Sequence, residues 1–146
     1  MAVYQTNSEE ETTACAAVFA KTLAAGCFVA LDGELGAGKT AFVKGIARGL
    51  HVKENVVSPT FTILRVYESG RLPLYHYDAY RLAGEDGLLD VGFYDYAEGD
   101  GVCVCEWAER IKNALPKNHT RVAIRYIGEQ AREIAIERVG ECDCSG

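Results

Sequence analysis

Short apolar runs alternate along this chain with segments of helical period, and the alternation predicts an α/β fold with a mixed sheet. Ser8 to Glu11 reads S-x-x-E, a capping box, and Cys15, Val18, Phe19, Thr22 and Leu23 then fall at i, i+3, i+4, i+7 and i+8. The spacing predicts an amphipathic helix ending near Gly26. Cys27 to Leu31 is a continuous apolar run between glycines, the pattern of a buried strand. Beyond a glycine-rich stretch, Val43, Ile46, Ala47 and Leu50 return to helical spacing, with Gly45 weakening that helix by about 1 kcal/mol relative to Ala.

Residues 61–68 and 72–77, separated by Ser69-Gly70-Arg71, read as a hairpin, and Pro73 confines the second to an edge or a strand start. Residues 84–101 are rich in Gly and Asp and predict a short helix inside a mobile connection. Val102 to Cys105 reads as another buried strand, followed by a short helix to about Leu115. Residues 121–127 and 133–139, joined by Gly128-Glu129-Gln130, alternate enough for a closing hairpin, and the tail 141–146 reads as frayed.

With 146 residues the chain fits one domain, 1–146, around a single core. A net charge of -6 argues against a surface that neutralises a nucleic-acid backbone, so any RNA falls to partners. The start of the chain has no basic region followed by an apolar run, and no apolar stretch of about 18 residues occurs. The expectation is a cytosolic protein, no membrane span, and six cysteines held as thiols.

The chemistry concentrates in Gly33 to Thr40, G-E-L-G-A-G-K-T, placed between the predicted strand and helix. In the pattern G-x-x-x-x-G-K-[ST], successive backbone N–H groups converge on one concavity, and the following helix adds its positive end. Gly36 and Gly38 permit the backbone conformations and close approach that a β-carbon blocks. Lys39 is then expected to reach the β and γ phosphates, and the Thr40 hydroxyl to ligate Mg²⁺. Gly33, Glu34, Leu35, Gly36, Ala37, Gly38, Lys39, Thr40 and Ala41 form the candidate nucleotide-binding run of a P-loop NTPase-like domain.

Hydrolysis also requires a carboxylate near the metal. Glu106 ends the run Val102-Cys103-Val104-Cys105, where a buried strand delivers it to the phosphate end of the sheet; the alternative is a solvated charge opening the next helix. Asp78, in H-Y-D-A-Y-R, ends another strand and is the second candidate, with a helix N-cap as its alternative. Ser58-Pro59-Thr60 forms an extended loop in which Thr60 is a candidate sensor of γ-phosphate and Mg²⁺, or else part of a plain turn. Cys103 and Cys105 share one strand face and, like the tail pair Cys142 and Cys144, read as thiols rather than zinc ligands. His76 reads as structural.

Together, G-E-L-G-A-G-K-T, S-P-T-F at 58–61, H-Y-D-A-Y-R-L at 76–82 and E-W at 106–107 resemble the bacterial TsaE family, also known as YjeE. The motifs span essentially the whole chain in the family's order. The resemblance implies a single domain with a mixed, mostly parallel central sheet and flanking helices. It implies an ATPase that supports threonylcarbamoyladenosine formation in tRNA by acting on TsaD and TsaB, with ATP and Mg²⁺ as cofactors. Carried over by motif, Thr40, Asp78 and Glu106 serve the metal, and Lys39 with Asp78 and Glu106 form the catalytic set. Glu9 and Thr12 of the N-terminal segment, and Arg132 opening the last strand, are placed near the nucleotide. A small-molecule kinase and a nucleotide-gated binding module with incidental hydrolysis remain the alternatives.

Overall fold

The structure, a computed structural model, describes residues 2–33, 38–56, 64–79 and 99–140, with 112–114 by backbone alone. The residues Glu34 to Ala37, the S-P-T-F segment with Thr60, the helix expected after residue 84 and the tail lie outside these. Among the described residues seven strands form one sheet: β1 (Ala2–Thr6), β2 (Phe28–Gly33), β3 (Leu64–Tyr67), β4 (Leu74–Asp78), β5 (Val102–Glu106), β6 (His119–Tyr126) and β7 (Arg132–Val139). Their order is β1-β7-β6-β2-β5-β4-β3. The central strands β6, β2, β5 and β4 are mutually parallel, while β1, β7 and β3 join antiparallel to their neighbours. Five of the seven described strands thus run one way, the mixed, mostly parallel sheet expected.

β2, β4 and β5 read as near-continuous apolar runs because both of their faces are covered. On one face Val29, Leu31, Leu74, Val102, Val104, Val122, Ile124 and Ile134 pack beneath two helices, α1 (Glu9–Ala20) and α2 (Lys39–Gly49). On the other, Phe28, Ala30, Tyr75, Tyr77, Cys103 and Cys105 pack against Ala108 and Ile111 of a 3₁₀ segment, Ala108–Ala114, kinked at Ile111. Cys103 and Cys105 are free thiols in that second core, and burial raises both above the usual thiol range. Cys27 departs from the expectation of thiols throughout: it is disulfide-bonded.

Two further expectations need correction. β1 has no counterpart among the elements the sequence predicts, because only Thr6 of its five residues is buried and no apolar face marks it; pairing with β7 makes it a strand. The first helix begins at the capping box, with Ser8 accepting from the Glu11 N–H at 3.0 Å, but it ends at Ala20 rather than near Gly26. Lys21, Thr22 and Leu23 donate to carbonyls three residues back, a tightening that closes the helix. Its buried face is also rotated. Thr12, Thr13, Ala16 and Ala20 face inward, whereas Val18 of the predicted stripe is 65% exposed. Small residues win because α2 presents glycines there: a β-carbon on Gly45 would lie 2.5 Å from Ala16 Cβ, and one on Gly49 2.6 Å from Ala20 Cβ.

Candidate functional site

The parallel strands deliver their C-terminal ends to one edge, where open α/β sheets bind ligands. Gly33 ends β2, Asp78 ends β4, and Glu106 ends β5. Asp78 and Glu106 are direct partners across the β4–β5 register, so two acids sit side by side on neighbouring strands about 4.8 Å apart. Both are buried, at 4% and 5% exposure.

Lys39 opens α2 immediately after Gly38, whose φ of 102° is a left-handed conformation that glycine adopts without cost. The Lys39 ammonium donates to the Gly33 carbonyl at 3.0 Å and lies 3.6 Å from the centroid of the Trp107 ring. Burial lowers its pKa, while Glu106, Glu109, Asp78 and Asp32 pull it back up. The lysine of the glycine run and both candidate acids therefore belong to one electrostatic unit. Thr40 is exposed in the first turn of α2, and Ala41 is buried behind it.

Gly38 also locates two of the outlying candidates. A β-carbon there would lie 3.9 Å from Arg132 Nε and 3.9 Å from Thr12 Cγ2, so both residues border the end of the glycine run. Arg132 is held by the carbonyls of Gly128, Glu129 and Ala131 and stacks on Tyr126, 4.3 Å from the ring centroid. The Thr12 hydroxyl pairs with that of Thr6 at 2.7 Å. Glu9 is exposed in the first turn of α1, with its carbonyl taken by the Thr13 hydroxyl at 3.0 Å. Glu34 to Ala37 and Thr60 fall outside the described residues.

Four neighbours of the site stand in positions that the sequence pattern does not announce. Trp107, legible in the sequence only as part of E-W, adopts a φ of 59°, uncommon for a bulky residue, and lays its ring against Lys39. His76 is fully buried, and its Nε2 lies 2.5 Å from Glu106 Oε2. On the other sheet face, Asp32 lies near Glu109, and its Oδ1 is buried with no hydrogen-bond partner among the described residues. Burial, then the Glu109 hydrogen bond and charge, push the Asp32 carboxyl up to about 7, with Arg121 opposing. Burial works against ionisation of Glu109 too, but the Asp32 hydrogen bond, a backbone hydrogen bond, Lys39 and Arg110 bring it below the usual range. The sequence signal for them is an Asp ending an apolar strand and a Glu three residues after another.

The chain matches the model of the family described as "Threonylcarbamoyl adenosine biosynthesis protein TsaE" over residues 6–134. It is 44% identical over 137 residues to the tRNA threonylcarbamoyladenosine biosynthesis protein TsaE of Bacillus subtilis, spanning 94% of this chain and 85% of that protein. It is likewise 44% identical over 129 residues to the Treponema pallidum protein of the same name, spanning 88% and 95%. The crystal structure of Bacillus subtilis YdiB superposes with a TM-score of 0.81 at 40% identity, over 95% of this chain and 86% of that one. A family model matched from the first strand into the last, and relatives this similar over nearly their whole length, place the chain in the TsaE family.

Proposed function

We propose that this chain is a Mg²⁺-dependent ATPase of tRNA threonylcarbamoyladenosine formation that acts on a TsaD–TsaB complex and drives its turnover. One observation carries the reading: the Lys39 ammonium sits at the end of β2, 3.0 Å from the Gly33 carbonyl, in the field of Asp78 and Glu106. A lysine held against paired acids where a glycine run meets a helix start is what phosphate-transfer chemistry requires. The pathway rests on the relatives, whose names assign them to that biosynthesis.

The residues present suit the cofactors. Thr40, Asp78 and Glu106 offer oxygen donors only, the set a hard cation such as Mg²⁺ takes, and Gly38 holds a left-handed conformation that a side chain would strain. Mg²⁺ bound there would neutralise charge on the transferring phosphoryl group. Lys39 binds the phosphates once drawn from the Gly33 carbonyl and the Trp107 ring. Arg132 and Thr12 flank the loop end, and Glu106 positions the attacking water or the metal.

Phosphate release from ATP, measured with and without purified TsaD and TsaB, tests this. Turnover is expected to be slow alone, to change with the pair, and to be lost in Glu106→Gln and Lys39→Ala. Reconstituted tRNA modification that survives Glu106→Gln would favour the nucleotide-gated module, and a phosphorylated metabolite trapped from labelled ATP would favour the kinase. Turnover indifferent to the pair would sink the coupling.

A further inference from the structure

The buried histidine of the H-Y-D motif has a use that the proposed hydrolysis does not yet include. His76 lies on β4 opposite Val104 of β5, so Glu106 is its diagonal neighbour on the same sheet face. Its Nε2 reaches Glu106 Oε2 at 2.5 Å, while its Nδ1 has no hydrogen-bond partner among the described residues. A carboxylate oxygen can only accept, so Nε2 carries the hydrogen and donates it. The ring is fully buried. A glutamate side chain has three rotatable bonds, and this contact fixes the last of them: Oε2 is occupied, and Oε1 is the oxygen left for the phosphate edge.

On the reading of the site as an ATPase, we infer that His76 is a positioning residue, which acts by holding one oxygen of Glu106 so that the other meets the metal or the attacking water. It touches neither nucleotide nor metal. Partners of this kind orient the ligating carboxylate, and their loss costs about 10- to 100-fold in activity. A Glu106 free to turn would still leave the glycine run and Lys39 able to bind phosphates. The expected signature is therefore a fall in kcat with nucleotide affinity unchanged.

The test uses the full chain with ATP turnover, ADP binding and thermal unfolding measured on His76→Leu, His76→Gln, Glu106→Gln and the double variant His76→Leu/Glu106→Gln. His76→Leu is expected to lower kcat by about 10- to 100-fold and to leave ADP affinity within about twofold. His76→Gln, whose amide can donate to the same oxygen, is expected to recover most of the loss. The double variant is expected to be no slower than Glu106→Gln alone, because His76 acts only through Glu106. A parallel readout is the nitrogen resonance of His76 in histidine-labelled protein, expected to show a protonated, hydrogen-bonded Nε2 that changes in Glu106→Gln. Wild-type kcat in a folded His76→Leu would overturn the inference. So would a Gln variant no better than Leu at equal stability, a parallel loss of ADP affinity, or an Nε2 resonance indifferent to Glu106→Gln. A wild-type rate that Glu106→Gln leaves intact would instead defeat the ATPase reading, and the resonance would still decide whether His76 holds Glu106.

Discussion

Replacing Gly45 by Ala pits helix propensity against packing, and the geometry decides the sign. In an isolated helix the change is worth about 1 kcal/mol in favour of Ala. Here the new β-carbon would lie 2.2 Å from the Thr13 carbonyl oxygen and 2.5 Å from Ala16 Cβ. The first obstacle is backbone, which no rotamer change can clear, so α1 and α2 must separate by about 1 Å to restore ordinary contact. Overpacking of this kind costs typically 1–3 kcal/mol, and opening the fully buried Ala16 and Ile46 places this case at the upper end. Net of propensity, Gly45→Ala is expected to destabilise by about 2 kcal/mol and to lower Tm by about 4–8 °C. Thermal unfolding by circular dichroism measures it, with Lys44→Ala, exposed on the same helix, as a control expected to stay within about 0.5 kcal/mol. The disturbance should also reach the site, because the Thr13 hydroxyl joins α1 to the Ala41 carbonyl in the first turn of α2 at 3.3 Å. Nucleotide affinity is therefore expected to fall alongside Tm. A Gly45→Ala variant as stable as wild type, or more so, would refute the claim that glycine is there for close approach.

Trp107 is the chain's one tryptophan, so saturating ADP or ATP should change intrinsic fluorescence as Lys39 leaves the ring, and Lys39→Ala should abolish the change; an unaltered signal in wild type would contradict it. Asp32 binds its proton up to pH about 7 when folded and only to about 3.8 when unfolded, so stability should fall as pH rises across that window. The full displacement is worth about 4 kcal/mol, reduced to about 1–2 because the side chain is 21% exposed and Arg121 lies nearby. Asp32→Asn, which cannot ionise, should remove that slope and be the more stable protein at pH 8; parallel stability profiles would rule this out. Finally, ATP binding is expected to weaken at least tenfold in EDTA and to depend less on Mg²⁺ in Glu106→Gln; equal affinity with and without the cation would be incompatible with the proposed site.

What the sequence made legible were features whose cause is local. β2 and β5 are apolar at nearly every position because they are covered on both faces, so Gly33 and Glu106 could be placed at strand ends. The loop between β2 and α2 announces itself through glycines. What stayed hidden depends on partners distant in the chain. The inward face of α1 cannot be read from its own hydrophobicity, since Ala16 and Ala20 are selected by Gly45 and Gly49 on another helix. β1 is a strand only through β7. His76 has no ligand spacing to any other histidine, and its contact with Glu106 exists only in the β4–β5 register.

That register also explains why the strand ends form a charged edge and not merely a row of acids. Asp78 and Glu106 point to the face beneath α2, while Asp32, by the alternation of β2, points to the opposite face. Lys39 feels all four. Two like charges 4 Å apart at an effective dielectric near 20 repel by about 4 kcal/mol, so four ionised carboxylates around one ammonium would oppose a phosphate chain. Burial pushes the Asp32 carboxyl up to about 7, which weakens one of those charges, and does so on the face away from Thr40. Asp78 and Glu106 lie beside Lys39, where the repulsion carboxylates exert on bare phosphate is the attraction they would exert on a phosphate-bound cation. On the proposed function, the two sheet faces act in complement, because the far face lowers the background charge while the near face makes nucleotide binding conditional on the metal.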